Sequence, residues 1–370
     1  KEQAKKVLNN YNAGLEIMAE DKYLELVGML NGQQRKIFDD FVERINSGND
    51  DDPFYTYIGG EAGTGKSFLL RLMIDAVKQL GKRSGRELDK PVSLTIAPTG
   101  VAAYLVNGST IESALGMQPQ KGRSYVSNQS SRNSNLRFLY EDLKVIFLDE
   151  VSMCGSDMLA RINFRMQEIM GNVKFMGGVS LICTGDFGQL PPVGQNIIWD
   201  ISRLDNRIDI CPNHWDDHFK IFYLDEKMRS QDMEFSTICD KVRKGICDEE
   251  VESYMKQHIR QCPNENENMK YATGKLSIIV TTNEAREKIN LHLLGKLLPL
   301  KKSYSLSAKD KSTNLANPPP LSEKLPLTVT GQLQTNIVFK EGAPVMITSN
   351  HSKQKYKNNG IVNGARGYID

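Results

Sequence analysis

The sequence predicts an α/β fold built on parallel β-sheets, and two observations lead to this prediction. Short, continuous apolar segments such as 144–148 alternate with amphipathic stretches of ten or more residues, which is the pattern of buried parallel strands joined by helices. Polar residues come directly after these apolar segments, as in Asp149-Glu150 and Gly185-Asp186. Because ligands of parallel sheets bind at the carboxyl ends of the strands, we expect the functional site at that edge.

Composition limits the class of protein. The chain has 370 residues, enough for two or three domains, and its 39% hydrophobic and 25% charged residues are typical of a globular protein. No apolar run approaches the ~20 residues of a spanning helix, and the start of the sequence lacks the apolar core of a secretion signal. We therefore expect an intracellular protein with no membrane partner. Six cysteines without a C-x-x-C pair indicate reduced thiols.

The elements before the first motif are predicted in chain order. Apolar residues follow a roughly helical spacing over the first forty positions, and Asn31 is predicted to cap a helix over 33–45. An acidic turn leads to a strand over 53–58, which is followed by a helix with one apolar face over 66–80.

The segment between that strand and that helix fits the pattern G-x-x-x-x-G-K-[ST]. Its glycines let the backbone turn so that N–H groups point towards phosphate oxygens, and the positive end of the following helix strengthens the attraction. Lys66 adds a positive charge for the β- and γ-phosphates, and the Ser67 hydroxyl is predicted to bind Mg²⁺. The predicted nucleotide-binding residues of this segment are Gly60, Gly63, Thr64, Gly65, Lys66 and Ser67.

Two adjacent carboxylates, Asp149 and Glu150, follow the strand predicted over 144–148. Carboxylates at the end of a buried strand are costly unless they serve a metal or a reaction. We predict that Asp149 holds the water shell of Mg²⁺ and that Glu150 orients and deprotonates the attacking water. The next strand, over 179–183, leads to Gln189, which is predicted to sense the γ-phosphate; an ordinary turn after a strand is the alternative.

Polar residues at two further predicted helix N-termini suit the binding of a nucleic-acid phosphate, because free backbone N–H groups lie there. The first site follows a strand predicted over 92–96, and the second follows a strand predicted over 276–280. The candidate residues are Pro98, Thr99, Gly100, Thr281 and Asn283. Simple helix capping explains both sites equally well. The excess of Lys and Arg in the last hundred residues predicts either a face towards a phosphate backbone or a solvated lysine face.

A second α/β region is predicted from residue 221, beginning with a strand over 221–224. Arg229 follows this strand, and an arginine supplied across a cleft between domains would stabilise the charge that develops on the γ-phosphate. An exposed surface arginine is the alternative. Further helices are predicted over 232–243 and 283–294.

The last part of the sequence changes in character. Residues 301–336 are rich in Lys, Ser, Thr and Pro and predict an irregular connector. Residues 337–370 show short strand patterns with glycines at turns, which predicts a small β module.

The segments GEAGTGKS, APTGVAA, FLDEVSM, GDFGQLPPV, LDEKMRS and GAPVMI together resemble the motifs of the Pif-type DNA helicases of superfamily 1, over about residues 30–370. The helicase part of Helitron-type transposases is similar as well. The resemblance implies two RecA-like domains, ATP and Mg²⁺ as cofactors, and 5′-to-3′ movement on single-stranded DNA with unwinding of duplex or G-quadruplex DNA. We also expect a monomer that acts in the nucleus or the mitochondrion.

The resemblance assigns further residues and domain bounds. It places Gln34 on the adenine and Thr110 among the DNA contacts. The implied organisation is an N-terminal helical segment at 1–50, a RecA-like domain at 51–220 with a wedge insertion at about 117–138, a second RecA-like domain at 221–336 and the start of an SH3-like subdomain at 337–370.

Two departures from the family pattern affect the expected activity. Glu112 stands where the family usually has His, and the segment T-x-H-K-x-Q-G and the last arginine motif do not occur before Asp370. We therefore expect weak or absent unwinding from the sequence as it stands. Two other functions stay open: a nucleotide-gated module that binds single-stranded DNA without unwinding, and an unrelated P-loop NTPase that acts on protein or small-molecule partners.

Overall fold

A computed structural model describes residues 17–47, 52–83, 90–117, 131–200, 213–228, 232–259, 270–271, 273, 275–296, 303–307, 336–347 and 365–370. The chain divides into two compact units, one ending at Glu252 and the other starting at Ser253. The larger first unit contains the motifs from Gln34 to Gln189.

A six-stranded parallel sheet forms the centre of the first unit, with the strand order β3-β2-β4-β5-β1-β6. The strands are β1 (Tyr55–Gly60), β2 (Ser93–Ala97), β3 (Ser109–Thr110), β4 (Val145–Leu148), β5 (Ser180–Gly185) and β6 (Phe219–Leu224). The predicted α/β fold with a parallel sheet is confirmed, and β1, β2, β4 and β5 begin within two residues of their predicted starts.

Helices cover both faces of this sheet. Alternate residues of β4 belong to different apolar cores, Ile146 and Leu148 to one and Val145 and Phe147 to the other, because successive side chains of a strand point to opposite faces. The α-helices of the described residues include α1 (Glu20–Gly28), α2 (Gly32–Asn46), α3 (Lys66–Arg83), α4 (Gly100–Leu105), α5 (Ile111–Leu115), α6 (Ser131–Leu139), α7 (Ser156–Met170), α8 (His214–His218), α9 (Met233–Arg243), α10 (Glu249–His258) and α11 (Asn283–Lys296).

Strand β6 corrects the predicted start of the second domain. The sequence places 221–224 in a new α/β domain, but β6 pairs in parallel with β1 from Tyr55–Phe219 to Gly60–Leu224. It is the sixth strand of the first sheet. An apolar run shows that a strand forms, but not which strand it will pair with, since parallel partners are distant in sequence.

The described part of the second unit also differs from the prediction. Residues 276–280 are not a strand, and none of the described strands lies beside them; Ile279 is 96% exposed. The predicted connector contains a strand, β7 (Ser303–Ser307), whose alternating Ser-Tyr-Ser-Leu-Ser pattern has the period of a strand.

Short antiparallel pairs replace a parallel sheet in this described part. Strand β7 pairs with β8 (Asn336–Lys340), and β9 (Pro344–Met346) pairs with β10 (Arg366–Tyr368). The last three of these strands agree with the predicted β module. Ala343 is buried there among Leu293, Leu294 and Ile369.

Four cysteines fall within the described residues, and all four are free. Cys154 and Cys183 are buried, and burial raises the pKa of both thiols, that of Cys154 to about 12. Cys239 and Cys247 are exposed. Among the helices of the described residues, none combines the length and the apolar character that a membrane crossing requires.

His214 gives the first unit a predicted sensitivity to acid. Its ring stacks on Phe175 with centroids 4.3 Å apart, and burial together with the neighbouring His218 lowers its pKa to about 4, against a weaker opposing effect of Asp217. The unfolded chain, with a His pKa near 6.5, binds this proton at higher pH than the folded chain, so stability falls as pH drops from about 6.5 to 4.

We expect His214 to account for about 1–2 kcal/mol of this loss, less than the full shift would give, because the ring is partly solvated. Chemical denaturation at pH 7 and pH 5 measures the effect. His214→Phe keeps the ring stacking and should reduce the difference between the two pH values, whereas the exposed His292→Phe should not. An unchanged difference in His214→Phe would contradict this assignment.

Candidate nucleotide-binding and hydrolysis site

The loop between β1 and α3 has the backbone shape of a phosphate cradle. Gly63 and Gly65 have φ values of 87° and 83°, which glycine adopts without strain. A Cβ atom on Gly60 would lie 2.6 Å from the carbonyl oxygen of Leu224, so only glycine fits beside β6. Glycine is therefore required in this motif for two separate reasons: the backbone conformation at Gly63 and Gly65, and the close packing at Gly60.

Lys66 lies at the start of α3 and points back over this loop. Its ammonium group donates to the carbonyl oxygens of Gly60, at 2.6 Å, and Glu61, at 2.8 Å. Burial lowers the pKa of Lys66, while the carboxylates of Asp186, Glu150 and Asp149 act in the opposite direction. The strand and helix thus hold a cation at the cradle, and its contact with phosphate stays a prediction.

Gln34 is attached to the same loop. Its side chain completes a capping box with Asn31 at the start of α2, and its Nε2 donates to the Thr64 carbonyl at 3.0 Å. The side chain is buried and touches the position where a Cβ of Gly65 would lie. The structure therefore brings Gln34 to the cradle, and its contact with adenine stays a prediction.

Asp149 and Glu150 follow β4 at the carboxyl edge of the sheet. Asp149 is buried, and its Oδ1 accepts from the Thr184 hydroxyl at 2.5 Å and from the Glu150 N–H at 3.0 Å. Glu150 adopts a left-handed backbone with φ of 55°, a strained conformation that is frequent at functional sites. Burial and Asp149 raise the pKa of Glu150, and Lys66 opposes this effect.

The donor set at this edge fits Mg²⁺. Both hydrogen bonds to Asp149 from the described residues fall on Oδ1, so Oδ2 keeps its lone pairs for another ligand. Ser67 supplies a second hard oxygen donor from an exposed position on the first turn of α3. Carboxylate and hydroxyl oxygens suit Mg²⁺, which also keeps several of its waters in protein sites.

The loop after β5 is organised by a carboxylate that the sequence prediction did not single out. Asp186 is 2% exposed and accepts from the Gly188 N–H at 3.0 Å and from Gln189 Nε2 at 3.3 Å. Burial alone would raise the pKa of Asp186, but the guanidinium of Arg243 and these N–H groups bring it below its ordinary value. Gln189 itself is an exposed residue of this loop.

Charged contacts that the prediction also missed connect helix α9 to this edge. Arg243 pairs with Asp186 at 2.5 Å, and Lys227 pairs with Glu61 at 2.8 Å and with Asp240 at 2.5 Å. The sequence assigned α9 to the second domain and gave its residues no role at the cradle. In the structure α9 belongs to the first unit and is tied to the cradle loop.

Arg229 lies outside the described residues, so its predicted contact is not tested. The segment just before it does reach the cradle. Met228 donates its N–H to the Gly63 carbonyl at 2.9 Å, and Asp225 accepts a hydrogen bond from the side chain of Gln33.

The candidate DNA contacts divide between the two units. Thr99 caps α4 by accepting from the Ala102 N–H at 3.2 Å, and Pro98, Gly100 and Thr110 are half-buried near it in the first unit. Thr281 and Asn283 are exposed at the start of α11 in the second unit, where Thr282 performs the capping.

The comparison with family models decides which family this geometry belongs to. The model of the PIF1-like helicases matches residues 29–253, which include the cradle, the carboxylate pair Asp149 and Glu150, the loop 186–189 after β5 (the sensor loop) and α9. The chain belongs to the PIF1-like helicase family.

Individual PIF1-like helicases agree with this assignment. The ATP-dependent DNA helicase PIF1 of Saccharomyces cerevisiae is 34% identical over 217 residues, covering 57% of this chain and 23% of that protein. The ATP-dependent DNA helicase Pif1 of Bdellovibrio bacteriovorus is 25% identical over 327 residues, covering 85% of this chain and 63% of that protein. This chain thus spans less than two thirds of the length of either PIF1-like relative.

A solved PIF1-like structure has the same fold. The Pif1 helicase from Bacteroides in complex with ADP-AlF3 and single-stranded DNA superimposes with a TM-score of 0.56 at 21% identity, covering 92% of this chain and 69% of the other. The mixed α/β architecture predicted from the sequence is therefore that of the PIF1-like helicases.

Proposed function

We propose that this chain is the motor part of an ATP-dependent DNA helicase that moves 5′-to-3′ on single-stranded DNA. The observation that carries the proposal is the convergence, at one edge of a single parallel sheet, of a phosphate cradle, a carboxylate pair and a sensor loop. The chain's membership of the PIF1-like helicases, whose relatives bear the name ATP-dependent DNA helicase, supports the same function.

Each residue of the site has a proposed role in ATP hydrolysis. Lys66 and the N–H groups of the cradle bind the β- and γ-phosphates, and Gln34 contacts the adenine. Glu150 accepts the proton of the attacking water, and its raised pKa suits a base. Gln189 senses the γ-phosphate, and Arg229 neutralises its developing charge. Mg²⁺, held by Ser67 and Asp149, would neutralise phosphate charge when bound.

The proposed DNA contacts lie on both units. Pro98, Thr99, Gly100 and Thr110 would bind phosphates beside α4 and α5, and the segment from Thr281 to Asn283 would do so at α11. Single-stranded DNA is the proposed track, and duplex or G-quadruplex DNA is the proposed unwinding substrate. The solved relative that was bound to single-stranded DNA supports the first of these partners.

Stimulation of ATP hydrolysis by single-stranded DNA tests the proposal. We expect the hydrolysis rate to rise at least about tenfold with a single-stranded oligonucleotide at low salt. In a version that also carries the segment T-x-H-K-x-Q-G and the last arginine motif, we expect duplexes with a 5′ tail to be separated in preference to those with a 3′ tail. A salt-sensitive affinity for single strands without stimulation would favour a DNA-binding module. Normal ATP affinity without DNA binding would favour an unrelated P-loop NTPase.

We further propose that the chain acts in the nucleus, with the mitochondrion as the second compartment, because DNA is its proposed substrate. We also propose that it acts as a monomer. The second RecA-like domain, the wedge at about 117–138 and the SH3-like start at 337–370 stay proposals as well. Most of the wedge lies outside the described residues.

A further inference from the structure

Asp186 is the point at which the sensor loop is fixed. Its Oδ1 accepts from the Gly188 N–H at 3.0 Å, and its Oδ2 accepts from both Gln189 Nε2, at 3.3 Å, and Arg243 Nη1, at 2.5 Å. The side chain of Asp186 is only 3% exposed, so water does not replace these donors. The side chains of Gln189 and Arg243 thus donate to the same carboxylate oxygen of Asp186, so the position of Gln189 depends on that carboxylate.

Arg243 reaches this carboxylate from the last residue of α9. Its Nε lies 3.7 Å from Glu61 of the cradle loop, so the guanidinium lies between the cradle and the sensor loop. Lys227 makes a second connection, because it pairs both with Glu61 of the cradle loop and with Asp240 of α9. Arg243 is therefore the direct link from α9 to the sensor loop, and Lys227 is a separate link from α9 to the cradle.

The charge of Arg243, which pairs directly with Asp186, stabilises a buried carboxylate at this position, and the charge of Lys66 acts in the same direction. A buried carboxylate that loses its partner cation is strongly destabilised and moves or takes up a proton. The carboxylate of Glu150 is near enough for the charge of Asp186 to raise the pKa of Glu150, and this repulsion adds to the cost. Without Arg243 the Asp186 carboxylate, which accepts from the Gln189 side chain, would lose its paired cation, while the backbone N–H of Gln189 would still donate to the Asp186 carbonyl.

We propose that Arg243 is a positioning residue that, through Asp186, holds Gln189 in the orientation that reads the γ-phosphate. The inference rests on the proposed function, because it assumes that Gln189 faces the γ-phosphate of ATP. It makes the discrimination between ATP and ADP depend on α9, a helix that lies outside the motif segments on which the sequence resemblance rests.

Gly188 offers a second way to displace the same guanidinium. A Cβ atom at Gly188 would lie 2.6 Å from Arg243 Nε, and it would meet only that flexible side chain among its nearest atoms. Gly188 does not have a positive φ, so Ala fits the backbone. Gly188→Ala should therefore push Arg243 away from Asp186 without removing a charge from the protein.

The experiment compares the affinities of the full chain for a non-hydrolysable ATP analogue and for ADP, both with Mg²⁺. In Arg243→Ala and in Gly188→Ala we expect the preference for the analogue to fall about tenfold, a change that the loss of one charge-assisted hydrogen bond is strong enough to produce. The ADP affinity should stay within about twofold. The preference of the double variant should fall no further than that of Arg243→Ala, because the two substitutions remove the same contact, the one between Arg243 and Asp186.

Lys241→Ala is the matched control, because Lys241 is a cation of the same helix that pairs with Asp248 and Glu250 instead. It should leave the preference unchanged. Equal losses of ADP and analogue affinity in Arg243→Ala and Gly188→Ala would overturn the inference, since they indicate a general effect on the fold. An unchanged preference in both variants would also overturn it. If the unaltered chain fails to bind either nucleotide, the proposed function fails with it.

Discussion

Lys66→Ala is expected to reduce kcat/KM for ATP hydrolysis at least ~100-fold, with or without DNA. The ammonium group of Lys66 is held over the cradle by two carbonyl oxygens and is surrounded by three carboxylates, so its replacement leaves the phosphate site with an excess of negative charge. Triphosphate binding should weaken for the same reason. Steady-state phosphate release and equilibrium binding of ATP measure the two effects.

Arg71→Ala is the control for this change, because Arg71 is an exposed cation on the same helix. It should hydrolyse ATP at the rate of the unaltered chain. A Lys66→Ala variant that kept more than about a tenth of the activity would show that the cradle lysine is not the phosphate ligand.

Glu150→Gln is expected to lower kcat by about 10²–10⁴ and to leave ATP affinity nearly unchanged. The substitution keeps the shape of the side chain and removes its negative charge together with its ability to accept a proton. Because Glu150 carries negative charge near Lys66, its loss should not weaken phosphate binding. Glu141→Gln, on an exposed carboxylate before β4, is the matched control and should be fully active.

The pH dependence of hydrolysis should identify the same residue. A base works in its ionised form, so kcat should rise with pH through the pKa of Glu150, which burial and Asp149 place above the ordinary value of a glutamate. In Glu150→Gln this acid limb should vanish from the residual rate. A limb that persisted unchanged in the variant would assign the base to another group.

Local signals made most of the site predictable from the sequence. The glycines of the motif and Lys66 lie within residues 60–66, and Asp149 and Glu150 follow a four-residue apolar strand directly. Each of these features depends on the backbone of a single strand and the loop after it. A parallel sheet then brings such loops to one edge whatever the order of its strands.

The features that the sequence did not predict depend on contacts between distant segments of the chain. Strand β6 has the same apolar character whether it starts a new sheet or completes the first one, and only its pairing with β1 decides. Arg243 looks like a solvated charge at the end of an amphipathic helix, and nothing near it in the sequence points to Asp186. Once β6 was assigned to another domain, α9 and its cations were assigned there too.

The pairing of β6 with β1 determines where the protein can be divided. A fragment ending at residue 220, the boundary that the sequence predicts, would lose most of β6 and leave one side of β1 without a neighbour. Unpaired strand edges readily join those of other chains, so such a fragment would be prone to aggregation. Deletion studies that aim to preserve nucleotide binding should therefore retain the chain at least through Arg243.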